Sequence, residues 1–460
     1  MKIKLLFILV SFMFSALGSV LTPQYSLFFV LVFLEQFFLL AFSIIEKEGV
    51  FPGVGTLLYF VNFLSVSLRS FFLVCADVNA IENVYIANIQ YESYFYAAII
   101  CSVGAFFIFL GGVSYYGCYS KRINLNSLEA LEPVFSVSAY RLAVFLLVMV
   151  LPVVVMQSEN PLSLSSKRVF ISDDGDVTRF GLNRFLLNCL VYYFMAYIFY
   201  VFCRERKIRN IVVPIIIVAI ISVVVSLRTY LVFVFFPLLV YYTKKINPRS
   251  VFFGVGASVL IVLLASYTTH ARKTVNSEDQ WRITESVSGF FEALSFSGNY
   301  GGLISTAIST HAVKDNAPLY WGETIFLGPV MQFVPRRLYE NKPEELGGEL
   351  RKIQQVSGVM PKNIEGGVPP GFFAEFWLNY RLPGVMVFSF LFGFLVCLFS
   401  SSVNKKSGLV ASSLWVFVSL VLVLYGFGGH TARVMMTLFQ LSVVVVVLYV
   451  FMSLVKKILR

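Results

Sequence analysis

Charge is what this sequence has least of. Asp, Glu, Lys and Arg make up 13% of its 460 residues, about half the share in a soluble globular domain, and an ordinary water-soluble fold is excluded. Histidine is almost absent: His270, His311 and His430 are the three, and no HxxxH spacing joins them into a metal site. The six cysteines (Cys75, Cys101, Cys118, Cys189, Cys203, Cys397) fall within or at the ends of apolar blocks. The long hydrophilic connections therefore carry no disulfide framework and no CxxC pattern, and the cysteines read as small packing residues. A P-loop, a nucleophile elbow and a dinucleotide fingerprint are all missing. So are the alternating ten-residue segments of a membrane β-barrel and the internal repeat of many secondary transporters.

What is present is apolar and organised in blocks. Hydrophobic residues make up 58% of the chain and mean hydropathy is +0.80. Most blocks run about 17 to 25 residues, the length a helix needs to cross a bilayer, and a helix is the structure that satisfies its own backbone there. The expected fold is an all-α polytopic membrane protein of about twelve spans. They lie near 3–22, 26–46, 53–76, 94–117, 140–157, 185–203, 210–227, 229–243, 250–269, 383–402, 408–427 and 433–455. Residues 1–269 then hold nine spans, 270–382 form a large loop with short helices, and 383–460 hold the last three. Lys2 and Lys4 before an apolar stretch ending in small residues imitate a cleavable signal, but a second block follows at once and favours a retained first span.

The net charge of +11 does not indicate nucleic acid, because it is spread over short connections. Lys121-Arg122, the Arg204, Arg206, Lys207 and Arg209 cluster, Lys244-Lys245 with Arg249, Lys405-Lys406 and the Lys456-Lys457 tail alternate with connections poor in positive charge. The positive-inside rule puts this basic set and both termini in the cytoplasm, and the loops at 158–184 and 270–382 outside. Within the large loop, 286–296 and 302–311 read as short helices. The run 320–334 is too short to span and reads as interfacial or re-entrant. Two charges fall inside spans, Glu35 in the second and Arg69 in the third. A structural pair between them is favoured over a role in proton movement.

The outward side is rich in arginine. Arg228 ends the seventh span, Arg272 opens the large loop, Arg336 and Arg337 sit in its middle, and Arg433 begins the last span. Guanidinium groups keep their charge and grip phosphate oxygens in pairs, so a cluster of them suits a pyrophosphate; singly, each could snorkel to headgroups. For a general base there are two candidates. Glu375 is the lone acid in an aromatic-rich stretch leading into the tenth span, expected at the membrane interface. His430 stands one helical turn before Arg433.

The order Trp321-Gly322-Glu323, Val334-Pro335-Arg336-Arg337, Lys342-Pro343, Gly371, Glu375, Asn379, Gly384 resembles the large periplasmic loop of Wzy-type O-antigen polymerases. The layout of spans and loop is similar too. The resemblance implies a metal- and cofactor-independent glycosyltransferase of a bacterial inner membrane. Its substrates would be undecaprenyl-pyrophosphate-linked oligosaccharide repeat units, both donor and acceptor, joined at the periplasmic face. Arg228, Arg272, Arg336, Arg337 and Arg433 would hold pyrophosphate, with Glu375 or His430 as base. Membrane lipid and a chain-length regulator would be partners, and nucleic acid would not. An O-antigen ligase or a lipid-linked oligosaccharide flippase are the alternatives.

Overall fold

In the computed structural model the described residues are 2–47, 51–71 except 69, 91–118, 126–156, 179–205, 210–224, six positions within 230–237, 302–313, 319–331, 350, 353–358, 369–403 and 408–458. Among them there are helices and no strands. In chain order these are α1 (Lys2–Leu21), α2 (Ser26–Ile45), α3 (Val54–Asn62, continued by a π turn Phe63–Ser67), α4 (Tyr91–Cys118) and α5 (Val137–Met156). Then follow α6 (Arg179–Glu205), α7 (Val212–Val224), α8 (Gly302–Val313), α9 (Gly328–Met331, after a π turn Glu323–Leu327), α10 (Gly371–Ser402), α11 (Leu409–Val421, continued by a π turn Leu422–Phe427) and α12 (Thr431–Ile458).

Seven helices among the described residues are long and apolar enough to cross a membrane, or eight if a bent pair ending in α5 counts as one span. Shorter apolar helices mark the expected third and seventh spans. Most of the expected eighth span and all of the ninth lie outside the described residues, as does the helix expected at 286–296. The helix expected at 302–311 is α8.

Chain α10 is a helical hairpin rather than one span. Tyr380 (φ −140°, ψ 17°) and Arg381 (φ 55°, ψ −150°) break it. The ring of Phe372 then meets that of Phe392 at 5.7 Å, and Phe376 meets Phe388 at 5.3 Å. Residues pairing in that order belong to two antiparallel arms. Neighbouring α4 gives the same result. Its Gly104 packs on Phe373 and its Tyr96 hydroxyl accepts from Trp377 Nε1 at 3.2 Å, so the short arm runs against α4. The long arm runs along it, Gly393 crossing Ile108 and Tyr115 bonding Ser401. At Gly111 and Gly393 any side chain would strike the facing backbone, so the crossing depends on small residues, as membrane helix contacts commonly do.

Helix α8 also runs against α4, with His311 Nδ1 2.9 Å from Ser93 Oγ and Thr306 beside Cys101. All twelve of its residues are buried. The connection between the ninth and tenth apolar blocks thus returns two short helices to the bundle, and both flank the middle of α4. The stretch containing Glu375 is one of them, an arm buried from Gly371 to Asn379.

Candidate active site

Glu375 lies on the short arm, fully buried. Its Oε2 accepts from the Thr431 amide at 2.8 Å and from the Thr431 hydroxyl at 2.7 Å. Thr431 is the first residue of α12, so the carboxylate of one element caps the helix of another, where the macrodipole favours an anion. The Thr324 hydroxyl also faces this carboxylate, but Oε1 is buried and completes no hydrogen bond. One oxygen is anchored and the other is open.

The tip of the hairpin fixes that arm. Asn379 donates from Nδ2 to the Glu375 carbonyl and to Thr324 Oγ1, both at 2.7 Å, and its Oδ1 accepts from the Gly322 amide at 2.8 Å. Gly322 holds φ +84°, which a side chain would strain. The segment 320–324 thereby clasps the tip, and the Arg381 guanidinium covers the Trp377 ring at 4.2 Å. The far end is fixed through Gly371, whose amide donates to the Gly429 carbonyl at 2.7 Å. At φ +73°, with the Phe427 carbonyl where a Cβ would be, this position requires glycine. Gly371→Ala is expected to destabilise the protein by more than the ~1–2 kcal/mol of the left-handed conformation alone. A lower melting temperature of the purified protein in detergent checks this; an unchanged one refutes it.

That end of the arm brings in the loop between α11 and α12 and the first turn of α12, which carry the other two described candidates. His430 is buried, and neither ring nitrogen has a hydrogen-bond partner. Burial first, and the charge of Arg433 second, push its pKa down to about 4, so the imidazole is neutral near pH 7. Arg433 is one turn on, its amide bonded to the His430 carbonyl at 3.1 Å. Its side chain is exposed yet stands over the Tyr425 ring, 4.5 Å from the centroid, with Tyr192 and Tyr230 close by. The Tyr192 and Tyr425 hydroxyls are 3.4 Å apart, and the Tyr230 hydroxyl donates to Asn188 Oδ1 at 2.6 Å. Among the described residues no carboxylate pairs with Arg433.

Three of the seven candidate residues, Glu375, His430 and Arg433, are therefore brought to one place at the start of α12. Arg228, Arg272, Arg336 and Arg337 lie outside the described residues. Sequence reasoning missed Thr431 and the three tyrosines, and gave Asn379 a place in the family resemblance but no role. Asn379 had a signal, four residues after Glu375 on one helix face. The tyrosines had none, since they come from three separate elements. Groups of His, Cys, Asp or Glu able to hold a metal are not found among the described residues.

The fold defines a multi-pass membrane protein in which polar side chains from separate elements gather at the start of α12. The family model of O-antigen polysaccharide polymerase Wzy matches residues 3–458, nearly the whole chain, and the chain belongs to that family. Its activity is therefore O-antigen repeat-unit polymerisation, a glycosyl-transfer reaction on lipid-linked oligosaccharides in a membrane. Neither the curated proteins nor the solved structures give a match.

Proposed function

We propose that the cluster of polar side chains at the start of α12 is where repeat units are joined. The growing chain leaves an undecaprenyl pyrophosphate and passes to a hydroxyl of the incoming unit, at the periplasmic face of a bacterial inner membrane with both termini cytoplasmic. The observation that carries this reading is the juxtaposition of a neutral, unbonded imidazole with an exposed arginine that has no carboxylate partner among the described residues. Arg433 binds the pyrophosphate. Arg228, Arg272, Arg336 and Arg337 are assigned the same task in this reading. The departing pyrophosphate gathers charge as the glycosidic bond breaks, and fixed cations stabilise that charge without reorganising.

His430 takes the proton of the acceptor hydroxyl. It is one turn before Arg433, neutral in the resting site, and free at both nitrogens. Glu375 is the alternative base through its open oxygen, but its other oxygen holds the first turn of α12, so its first task is to position the loop. Glu375→Gln keeps an acceptor for the Thr431 amide and is expected to fold. Glu375→Ala leaves that amide without its partner and should cost about 2 kcal/mol or more, since the lost bonds are to a charged group. Thermal melts of the two variants in detergent separate these cases, and equal melting temperatures would contradict the capping role.

The reaction itself is tested by lipopolysaccharide gels of a strain lacking the gene, beside the complemented strain. A lost ladder with a surviving single-repeat band supports polymerisation of this substrate. Loss of every repeat assigns flipping or ligation, and an unchanged ladder places the substrate outside lipopolysaccharide. A chain-length regulator is a further partner in this reading, read as a changed ladder length when it is removed.

A further inference from the structure

On the other side of α4 is a second set of buried polar groups that the polymerisation site does not use. Glu35, midway along α2, is fully buried and neither carboxyl oxygen has a hydrogen-bond partner. Beside it in sequence Gln36 is equally buried, with both amide atoms unpartnered. The Ser102 hydroxyl donates to the Leu31 carbonyl at 2.7 Å, one turn before Glu35, and fixes α4 against α2 at this level. Cys101 is close enough to Glu35 to feel its charge, and its sulfur is 3.8 Å from Thr306 Oγ1 on α8. Thr306 bonds the carbonyl of Gly302, the first residue of α8. Asn62 Oδ1, buried and without a partner, lies 3.5 Å from where a Gly302 side chain would begin. Tyr59, one turn before Asn62, and Ser309, one turn after Thr306, each carry a buried hydroxyl with no partner. Three elements, α2, α3 and α8, thus carry buried polar atoms without a partner, and α4 packs against both α2 and α8 at this level.

Each unmade hydrogen bond of a buried polar group costs about 1–3 kcal/mol, and a carboxyl more. Several at one junction are difficult to account for unless a ligand satisfies them. The chemistry of that ligand follows from the donors and acceptors. Glu35, Gln36, Asn62, Tyr59, Thr306 and Ser309 all offer oxygen. Lys and Arg are absent from the sequences of α2, α3, α4 and α8. His311 of α8 is engaged with Ser93, and Lys4 of α1 reaches instead to the Ser43 carbonyl and Thr56. Arg69, the expected partner of Glu35, is outside the described residues, and the carboxyl is unpaired without it. A single carboxyl among neutral oxygens balances one positive charge, whereas divalent sites gather more carboxylates.

We propose that Glu35 is the centre of a monovalent-cation site in the interior of the bundle, enclosed by α2, α3, α4 and α8, that takes up a proton or a sodium ion. Ionisable groups inside membrane spans are costly and mark ion pathways more often than packing. The site is separate from the polymerisation site and does not depend on its assignment.

The test uses the full-length protein purified in detergent and the lipid-soluble reagent dicyclohexylcarbodiimide, which adds to protonated carboxyls in apolar surroundings. Labelling of the peptide containing Glu35 is followed by mass spectrometry from about pH 6 to about pH 9, in sodium or in choline. Labelling is expected to fall about tenfold per pH unit above the titration point, and Glu35→Gln, with an unchanged or raised melting temperature, abolishes it. If sodium suppresses labelling at fixed pH the ion is sodium; if sodium and choline act alike it is the proton. Labelling that does not change with pH or sodium, or that misses Glu35 at every pH, overturns the proposal.

Discussion

Replacing His430 with glutamine is expected to lower the rate of polymerisation by about 10²- to 10⁴-fold, the usual contribution of a positioned base, with the amount of protein in the membrane unchanged. Glutamine approximates the shape of the ring and restores a hydrogen-bonding group but cannot take a proton at neutral pH. The pH dependence gives a second, independent readout. In the free protein the His430 pKa is depressed to about 4 from 6.5. The folded state therefore binds fewer protons than the unfolded state between those values, and stability rises with pH through that window. It is present in full above pH 6.5 and lost as the pH falls towards 4, by roughly 3 kcal/mol at most. Bound pyrophosphate adds negative charge near the imidazole and raises its pKa. The acidic limb of kcat should accordingly lie at higher pH than that of kcat/KM, because the two report the complex and the free enzyme. Steady-state kinetics with purified lipid-linked repeat units measure both. Coincident limbs, or a limb that survives in His430→Gln, would remove His430 from the chemistry and leave Glu375 as the base.

The parts of this molecule that were legible in the sequence are those encoded by local pattern. Hydropathy located α1, α2, α4, α6, α11 and α12 because each is a long apolar run bounded by turn residues or charge. His430 and Arg433 were legible because one helical turn separates them, and Glu375 because it is a lone acid among aromatics. The hairpin was not. Asn379 and Arg381 do mark a break before the apolar run that begins at 383, but hydropathy does not say that the stretch before the break folds back along the span. An arm that doubles back inside the bundle and an aromatic belt at its surface share one composition. The trans-cap of Glu375 on Thr431 and the tyrosines around Arg433 were hidden for a different reason: each joins residues from distant elements.

Arg433→Ala is expected to reduce kcat/KM by about 10²- to 10³-fold, the range seen when one group that stabilises developing charge is removed. The argument rests on where the guanidinium is held. It stands over the Tyr425 ring, 4.5 Å from the centroid, an arrangement that fixes the plane of the fork and leaves its outer edge free for oxygens. The pyrophosphate is bound in the ground state as well, but it gathers charge as the sugar departs, so the interaction is stronger in the transition state and its loss should appear in kcat more than in KM. Lysine keeps the charge but not the planar fork, and Arg433→Lys should recover only part of the rate. Tyr425 separates position from charge. Tyr425→Phe retains the ring and should be mild, whereas Tyr425→Leu removes the platform and should move towards Arg433→Ala without changing net charge. A fall confined to KM would make Arg433 a docking group for the lipid pyrophosphate rather than a stabiliser of its departure. Full activity in Arg433→Ala would shift that task to the arginines of the long connection.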